Sequence, residues 1–158
     1  MAERVIVHQD KDFQTAYWAL DPADPESPEA REPRSVAHLH DLTPYGMLLA
    51  SLGTCTAVVL HTYAQHHDVA LDDVEIVLDY QRLYREDCKD CEEIGEYMEQ
   101  VAMDIRLSGD LTPDQRERLY RVSKHCPVHR MLGDGITIQS HLAEDAFVAG
   151  QQGFRGDI

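Results

Sequence analysis

The chain has 158 residues, 43% of them apolar, which is the size and composition of one globular domain that folds without disulfide cross-links. Its 29 acidic and 14 basic residues give a formal net charge of −15 at pH 7. A field of that sign repels phosphate backbones and anionic lipid, so we expect neither nucleic acid nor a membrane as a partner. The N-terminal residues contain no apolar signal-peptide core, which predicts a cytoplasmic protein.

Short strands are predicted at the start of the chain, over residues 5–8 and 13–20, and the polar turn 9–12 joins them. Residues 21–33 are rich in proline and acidic side chains, and this composition predicts a surface loop inside the domain. A third strand is predicted over residues 35–39. Strands joined by so tight a turn favour an antiparallel sheet.

A long helix is predicted to begin at Thr43, which is a good N-cap, with Pro44 at the first helical position. It runs to about His67, and its apolar side chains go nearly all the way round. Residues 42–60 carry no charge and resemble a membrane span in that respect only, because glycines and hydroxyl side chains interrupt them. We interpret the segment as a helix that is covered on most sides within the protein.

Two further strands are predicted over residues 74–84 and 98–107, where apolar and polar side chains alternate. The segment between them, 85–97, is acidic and is predicted to be a hairpin tip or a short polar excursion that carries Cys88 and Cys91.

The C-terminal part of the chain is predicted to hold a second helix and a last strand. Thr112 and Gln115 form a capping box at the start of that helix, and Pro127 ends it just after Cys126. Glycines then lead into a strand over residues 136–141. The order β-β-β-α-β-β-α-β predicts a single α+β domain over residues 1–148 with an antiparallel sheet, followed by a flexible tail over 149–158.

Two of the four cysteines lie in or beside helices. Cys55 is surrounded by small residues, so it is either a buried small hydrophobe or a thiol that a substrate can approach. Cys126 lies between Lys124 and Arg130 with histidines nearby. Positive neighbours lower the pKa of a thiol, whereas the C-terminal end of a helix raises it. The residues alone therefore leave the reactivity of Cys126 open.

Other residues of metal-binding type lie outside that pair. Cys88 and Cys91 form a CxxC among acidic residues, which is compatible with surface thiols or a simple disulfide, with half of a zinc site, or with a redox pair. His38 and His40 precede the long helix and are either metal ligands or ordinary polar residues.

The sequence resembles the OsmC/Ohr family (osmotically inducible protein C and organic hydroperoxide resistance protein) in two motifs. The first is Thr-Pro-Tyr-Gly-Met-Leu-Leu-Ala-Ser-Leu-Gly-Thr-Cys-Thr, residues 43–56, and resembles the first-cysteine helix of the family. The second combines Ser-Gly-Asp-Leu at 108–111 with Cys-Pro-Val-His-Arg-Met-Leu at 126–132. The resemblance covers about residues 35–140, and the spacing of the two cysteines also fits.

This resemblance implies an intertwined homodimer in which antiparallel sheets surround two long central helices, one from each chain. It also implies a cysteine-based hydroperoxide reductase. Cys55 would attack the O–O bond of a small organic or hydrogen peroxide, Cys126 would resolve the sulfenic acid into a disulfide, and a dithiol would reduce it. No cofactor is required for this cycle, and zinc at Cys88 and Cys91 is a separate expectation.

The sequence departs from the family at the position ten residues before the first cysteine, where other members carry a glutamate and this chain has Tyr45. In those members an arginine pairs with that glutamate and stabilises the thiolate. Arg34 and Arg130 are the candidates for that support here. The alternative hypotheses are an OsmC-like dimer that binds a small apolar ligand or a metal without catalysis, and a structural protein with buried cysteines.

Overall fold

The structure is a computed structural model that describes residues 2–20, 32–84 and 97–140. Three predicted features lie outside these ranges: most of the loop 21–33, the excursion 85–97 that carries Cys88 and Cys91, and the tail 149–158. The predictions made for them remain predictions.

Five strands form one antiparallel sheet in the order β3-β2-β1-β4-β5. The strands are β1 (Ala2–Asp10), β2 (Thr15–Leu20), β3 (Arg34–Ser35), β4 (Leu71–Tyr84) and β5 (Tyr97–Gly109). The predicted α+β class with an antiparallel sheet is confirmed. The third strand is shorter than the predicted 35–39, because the chain turns into a single 3-10 turn at Leu39–Asp41.

The alternation of side chains along β1 and β4 separates the two faces of the sheet. Val5, Val7, Ile76 and Leu78 are fully buried on one face. On the other face the strands are joined by ion pairs between exposed side chains, such as Arg106 with Glu75 at 2.6 Å. One face of the sheet is therefore the core and the other is polar, as a period-two pattern requires.

Helix α1 (Pro44–His66) lies across the core face of β1 and β4. Its N-cap Thr43 accepts a hydrogen bond from the backbone N–H of Gly46 at 3.1 Å, so both the predicted start and the predicted end are confirmed. The closest approach to the sheet is at Gly53, where a Cβ would lie 2.6 Å from the Val7 side chain. Only a glycine permits that separation.

The outer face of α1 is less covered than the sequence predicted. Leu48 and Val58 remain 39% and 37% exposed, although Leu49, Leu52 and Leu60 are buried. By length and composition α1 could cross a membrane, and half of its most apolar window is buried inside the described fold. The expectation that the helix is covered on most sides is therefore wrong for a single chain.

Helix α2 (Pro113–Ser123) carries the predicted capping box. The Thr112 hydroxyl accepts from the Gln115 N–H at 3.2 Å, and the Gln115 side chain accepts from the Thr112 N–H at 2.9 Å. Its inner residue Leu119 is fully buried, and the helix packs on α1.

A third helix, α3 (Pro127–Asp134), was not predicted. We expected Pro127 to end the second helix, but α2 already ends at Ser123 and Pro127 is the first residue of α3. The reason is that proline suits the first helical turn as well as it suits a helix stop. Cys126 is thus the N-cap of α3 rather than the end of α2.

The strand predicted over residues 136–141 is also wrong where it can be checked. Residues 136–140 have no regular structure, and Ile136 and Ile138 are 62% and 81% exposed. A strand needs a neighbour to satisfy its backbone groups, and within the described ranges of this single chain none lies beside this segment.

Candidate functional site

The two helix-associated thiols meet where α1, α2 and α3 come together. Cys55 lies in the middle of α1 and is partly buried, whereas Cys126 is fully buried at the N-cap of α3. Both are free thiols, and they lie close enough for the Cys126 thiol to raise the pKa of Cys55. The fold therefore brings together two cysteines that are far apart in the sequence.

The surroundings of Cys55 act on its pKa in opposite directions. Burial raises the pKa of the Cys55 thiol, and the hydrogen bond with Cys126 raises it further. A hydrogen bond from the backbone N–H of Val128, in the first turn of α3, lowers it. The net pKa is above that of an ordinary cysteine. The Val128 N–H, at a helix start where negative charge is favoured, therefore offsets only part of the increase in the pKa.

A cavity of about 470 Å³ opens beside Cys55. Most of its lining is apolar, including Val36, Leu42 and Met47. Tyr17 also lines the cavity, and it was not predicted as a site residue. The Tyr17 hydroxyl lies 2.8 Å from the Thr54 hydroxyl. The alternation of side chains along β2 indicates which face of the sheet Tyr17 occupies. Nothing in the sequence around Tyr17 indicates that it lies near Cys55.

The two arginines considered as thiolate support lie apart from that cavity. The Arg34 guanidinium donates to the backbone carbonyl of Asp41. Arg130 lies on α3 in a shallow pocket with Pro127 and Met131. Within the described part of the chain, no hydrogen bond or ion pair joins either guanidinium to Cys55. Their predicted role stays a prediction.

A carboxyl group does lie at the start of α1, but it comes from strand β1 and not from the helix. Tyr45 stacks on the ring of Tyr80, with 4.7 Å between centroids. Glu3, on β1, is 5% exposed and accepts a hydrogen bond from the Thr43 hydroxyl. A Cβ at Gly46 would lie 2.6 Å from a Glu3 carboxylate oxygen, so any larger residue there would require that carboxylate to move. The local sequence around Tyr45 carries no sign of this acid.

Cys88 and Cys91 lie outside the described residues, so the zinc or redox role predicted for them stays a prediction. The fold and the site together define an α+β domain with two thiols in contact beside an apolar cavity.

The family model for OsmC-like proteins matches residues 37–141, more than half of the chain. The chain belongs to the OsmC-like family, and the resemblance drawn from the two cysteine motifs is confirmed.

The fold is similar to that of an OsmC-like hydroperoxide resistance protein from Jannaschia sp. CCS1, with a TM-score of 0.57 and 17% identity. That alignment covers 93% of this chain and 97% of the other, and it shows a shared fold. An OsmC-like protein from Mycoplasma pneumoniae aligns with a TM-score of 0.42 and 15% identity, over 81% of this chain and 85% of that one. No curated protein matches the chain by sequence.

Proposed function

We propose that the protein is a thiol-dependent peroxidase in which Cys55 is the peroxidatic residue and Cys126 the resolving one. The observation that carries this proposal is that the fold brings the Cys55 and Cys126 thiols close together beside the cavity. Membership of the OsmC-like family and the name of the Jannaschia neighbour, a hydroperoxide resistance protein, support it.

The cycle balances with these two thiols and an external reductant. The Cys55 thiolate attacks one peroxide oxygen, so an S–O bond forms while the O–O bond breaks and the other oxygen leaves as an alcohol or water. The Cys126 thiolate then attacks the sulfenic sulfur, an S–S bond forms, and hydroxide leaves and is protonated to water. Two thiols lose two electrons, and the peroxide gains them.

The asymmetry of the pair fits these roles. Cys55 is partly exposed at the cavity, so a small peroxide can reach it, whereas Cys126 is fully buried and contacts Cys55. A resolving thiol in contact with the sulfenic acid forms a disulfide before a second peroxide can overoxidise it. An incoming dithiol reductant would attack at Cys55, the accessible sulfur.

The apolar cavity supports a small organic hydroperoxide as substrate, with hydrogen peroxide as the smaller alternative. Val36, Leu42 and Met47 offer contacts to a hydrocarbon group and none to an ion. A dithiol reductant regenerates the thiols. Because the cytoplasm keeps thiols reduced, the proposal includes a cytoplasmic location.

We further propose that the functional unit is the intertwined homodimer. Leu48 and Val58 leave an apolar face of α1 exposed, and Ile136 and Ile138 are exposed with no partner strand among the described residues of the chain. A second copy could cover both surfaces, since apolar area of this kind is typical of interfaces. The oligomeric state, measured by sedimentation, tests this part of the proposal.

The replacement Cys55→Ser tests the catalytic assignment. The variant should consume no organic hydroperoxide above the uncatalysed rate, because serine lacks the sulfur atom that attacks the peroxide and becomes sulfenic acid. A Cys88→Ser/Cys91→Ser variant is the matched control and should retain the parent's rate. Peroxide consumption by Cys55→Ser at the parent's rate, or loss of activity only in the control, would refute the assignment.

The alternative function is ligand binding without catalysis. The cavity of about 470 Å³ favours it, because a volume of that size accommodates a small apolar molecule. The raised pKa of Cys55 also leaves less thiolate at neutral pH. A protein that binds an apolar fluorescent probe in this cavity but leaves peroxide intact would support this alternative over the peroxidase.

A further inference from the structure

Two histidines and an aspartate converge just before α1, at the 3-10 turn Leu39–Asp41. One ligand atom from each of His38, His40 and Asp41 can be chosen so that all three lie within 4.8 Å of one another. His38 Nδ1 is 3.7 Å from one Asp41 carboxylate oxygen, and His40 Nε2 is 3.7 Å from the other.

Hydrogen bonds of the turn fix its backbone and the Asp41 carboxylate before any ion binds. The His38 backbone N–H donates to the Asp41 carboxylate at 3.1 Å, and the Asp41 N–H donates back to the His38 carbonyl at 3.0 Å. Arg34 donates to the Asp41 carbonyl, and the two imidazoles stack with 5.1 Å between centroids. Ordering these groups in advance lowers the entropic cost of binding.

We propose that His38, His40 and Asp41 form a binding site for a divalent transition-metal ion of the zinc type. Two imidazoles and a carboxylate are a ligand set typical of Zn²⁺, whereas Mg²⁺ and Ca²⁺ prefer oxygen alone. Bonds of 2.0–2.2 Å in a tetrahedron put ligand atoms about 3.4 Å apart. The ligand atoms, which all lie within 4.8 Å of one another, would therefore have to move closer by no more than about 1.4 Å.

The cluster is exposed to solvent and borders the cavity beside Cys55. The side chains of His38 and His40 are 68% and 80% exposed, so an ion can reach them without opening the fold. His38 also lines the cavity that holds Cys55. A bound ion would lie in the wall of that cavity and keep one coordination position for water or for a donor atom of a bound molecule.

Zinc titration of protein purified without an affinity tag tests the site. A Cys88→Ser/Cys91→Ser background removes the CxxC as a competing ligand pair. In that background, calorimetry should show one Zn²⁺ per chain. Adding His38→Ala/His40→Ala should weaken binding by more than about 100-fold, because the loss of two direct ligands exceeds the 10- to 100-fold effect of outer-sphere changes. The exposed pair His66→Ala/His67→Ala is the matched control and should bind as the background does.

Cobalt absorption identifies the ligands independently of affinity. Co²⁺ bound to the Cys88→Ser/Cys91→Ser background should give visible absorption bands without a thiolate charge-transfer band. Asp41→Asn should weaken metal binding, and circular dichroism should show that the fold is retained. Zinc affinity unchanged by His38→Ala/His40→Ala, a thiolate band, or no zinc binding in the background would each overturn the proposal. These readouts do not depend on peroxidase activity, so the site and the proposed function fail separately.

Discussion

The two segments that carry the thiols are built in different ways. Cys55 lies in the middle of a helix of 23 residues, α1, which is anchored along its length on the sheet. Cys126 lies at a break between two short helices, where α2 ends and α3 begins. The comparison shows that one thiol is positioned by tertiary packing of a long element, and the other by the local geometry of a helix start.

The break is what makes the pair asymmetric. Because α3 starts at Pro127, the N–H of Val128 is free to donate to Cys55, and Cys126 is fully buried under the junction. A continuous helix through Cys126 would have used that N–H internally. The thiol on the long helix is thus the accessible one, and the thiol at the break is the enclosed one.

Removing the thiol at the break should have the largest effect. Cys126→Ser should stop turnover after about two peroxides per chain, because the sulfenic acid that the first peroxide forms at Cys55 has no resolving thiol and a second peroxide oxidises it to sulfinic acid. Intact mass should then show two added oxygens on the peptide that contains Cys55. Sustained turnover with a dithiol reductant at the parent's rate would contradict this role for Cys126.

Weakening the packing of α1 should have the next largest effect, a decrease in the free energy of unfolding. Leu60 is fully buried between helix and sheet, so Leu60→Ala should lower the free energy of unfolding by about 2–5 kcal/mol. Urea denaturation at one fixed protein concentration measures it. The exposed Thr62→Ala is the control on the same helix and should change stability little. Equal effects of the two variants would argue against packing as the anchor of α1.

Loss of the N-cap of α2 should destabilise the protein less. Thr112→Ala removes the side-chain acceptor for the Gln115 N–H and should destabilise the protein by about 1 kcal/mol. Thr112→Ser keeps the acceptor and should lie close to the parent in the same urea titration. If the serine variant lost as much stability as the alanine variant, the capping box would not be the source of the effect.

The smallest expected effect concerns the pH dependence of Cys55. Because its pKa is raised, the reduced protein should react with iodoacetamide at a rate that still increases with pH above about 8.5, where a free cysteine is half ionised. Cys126→Ala removes a hydrogen bond that raises this pKa, so its profile should shift to lower pH. Alkylation of the Cys55 peptide, followed by mass spectrometry, checks both profiles. A shift to higher pH would reverse the assigned effect of Cys126.

The sequence predicted the elements whose signals are local and strong. Thr43 and Pro44 marked the start of α1, and alternation marked β4 and β5. It missed α3 because Pro127 is equally compatible with a helix stop and a helix start.

The remaining discrepancies depend on contacts that are distant in the chain. The strand predicted over 136–141 has the right alternation but no neighbour in the described part of one chain. The carboxyl of Glu3 beside Gly46 and the hydroxyl of Tyr17 beside Thr54 come from strands whose pairing with α1 no local pattern encodes. The cysteine motifs could be found from sequence, whereas the groups around them required the fold.

The central claim is that Cys55 and Cys126 act as one redox unit. The most direct test treats the reduced native protein with one equivalent of an organic hydroperoxide and compares intact masses, followed by peptide mapping. If the two thiols act together, the mass should fall by two hydrogens, and the change should map to a bridge between Cys55 and Cys126. A bridge only between Cys88 and Cys91, or no change at any cysteine, would contradict it.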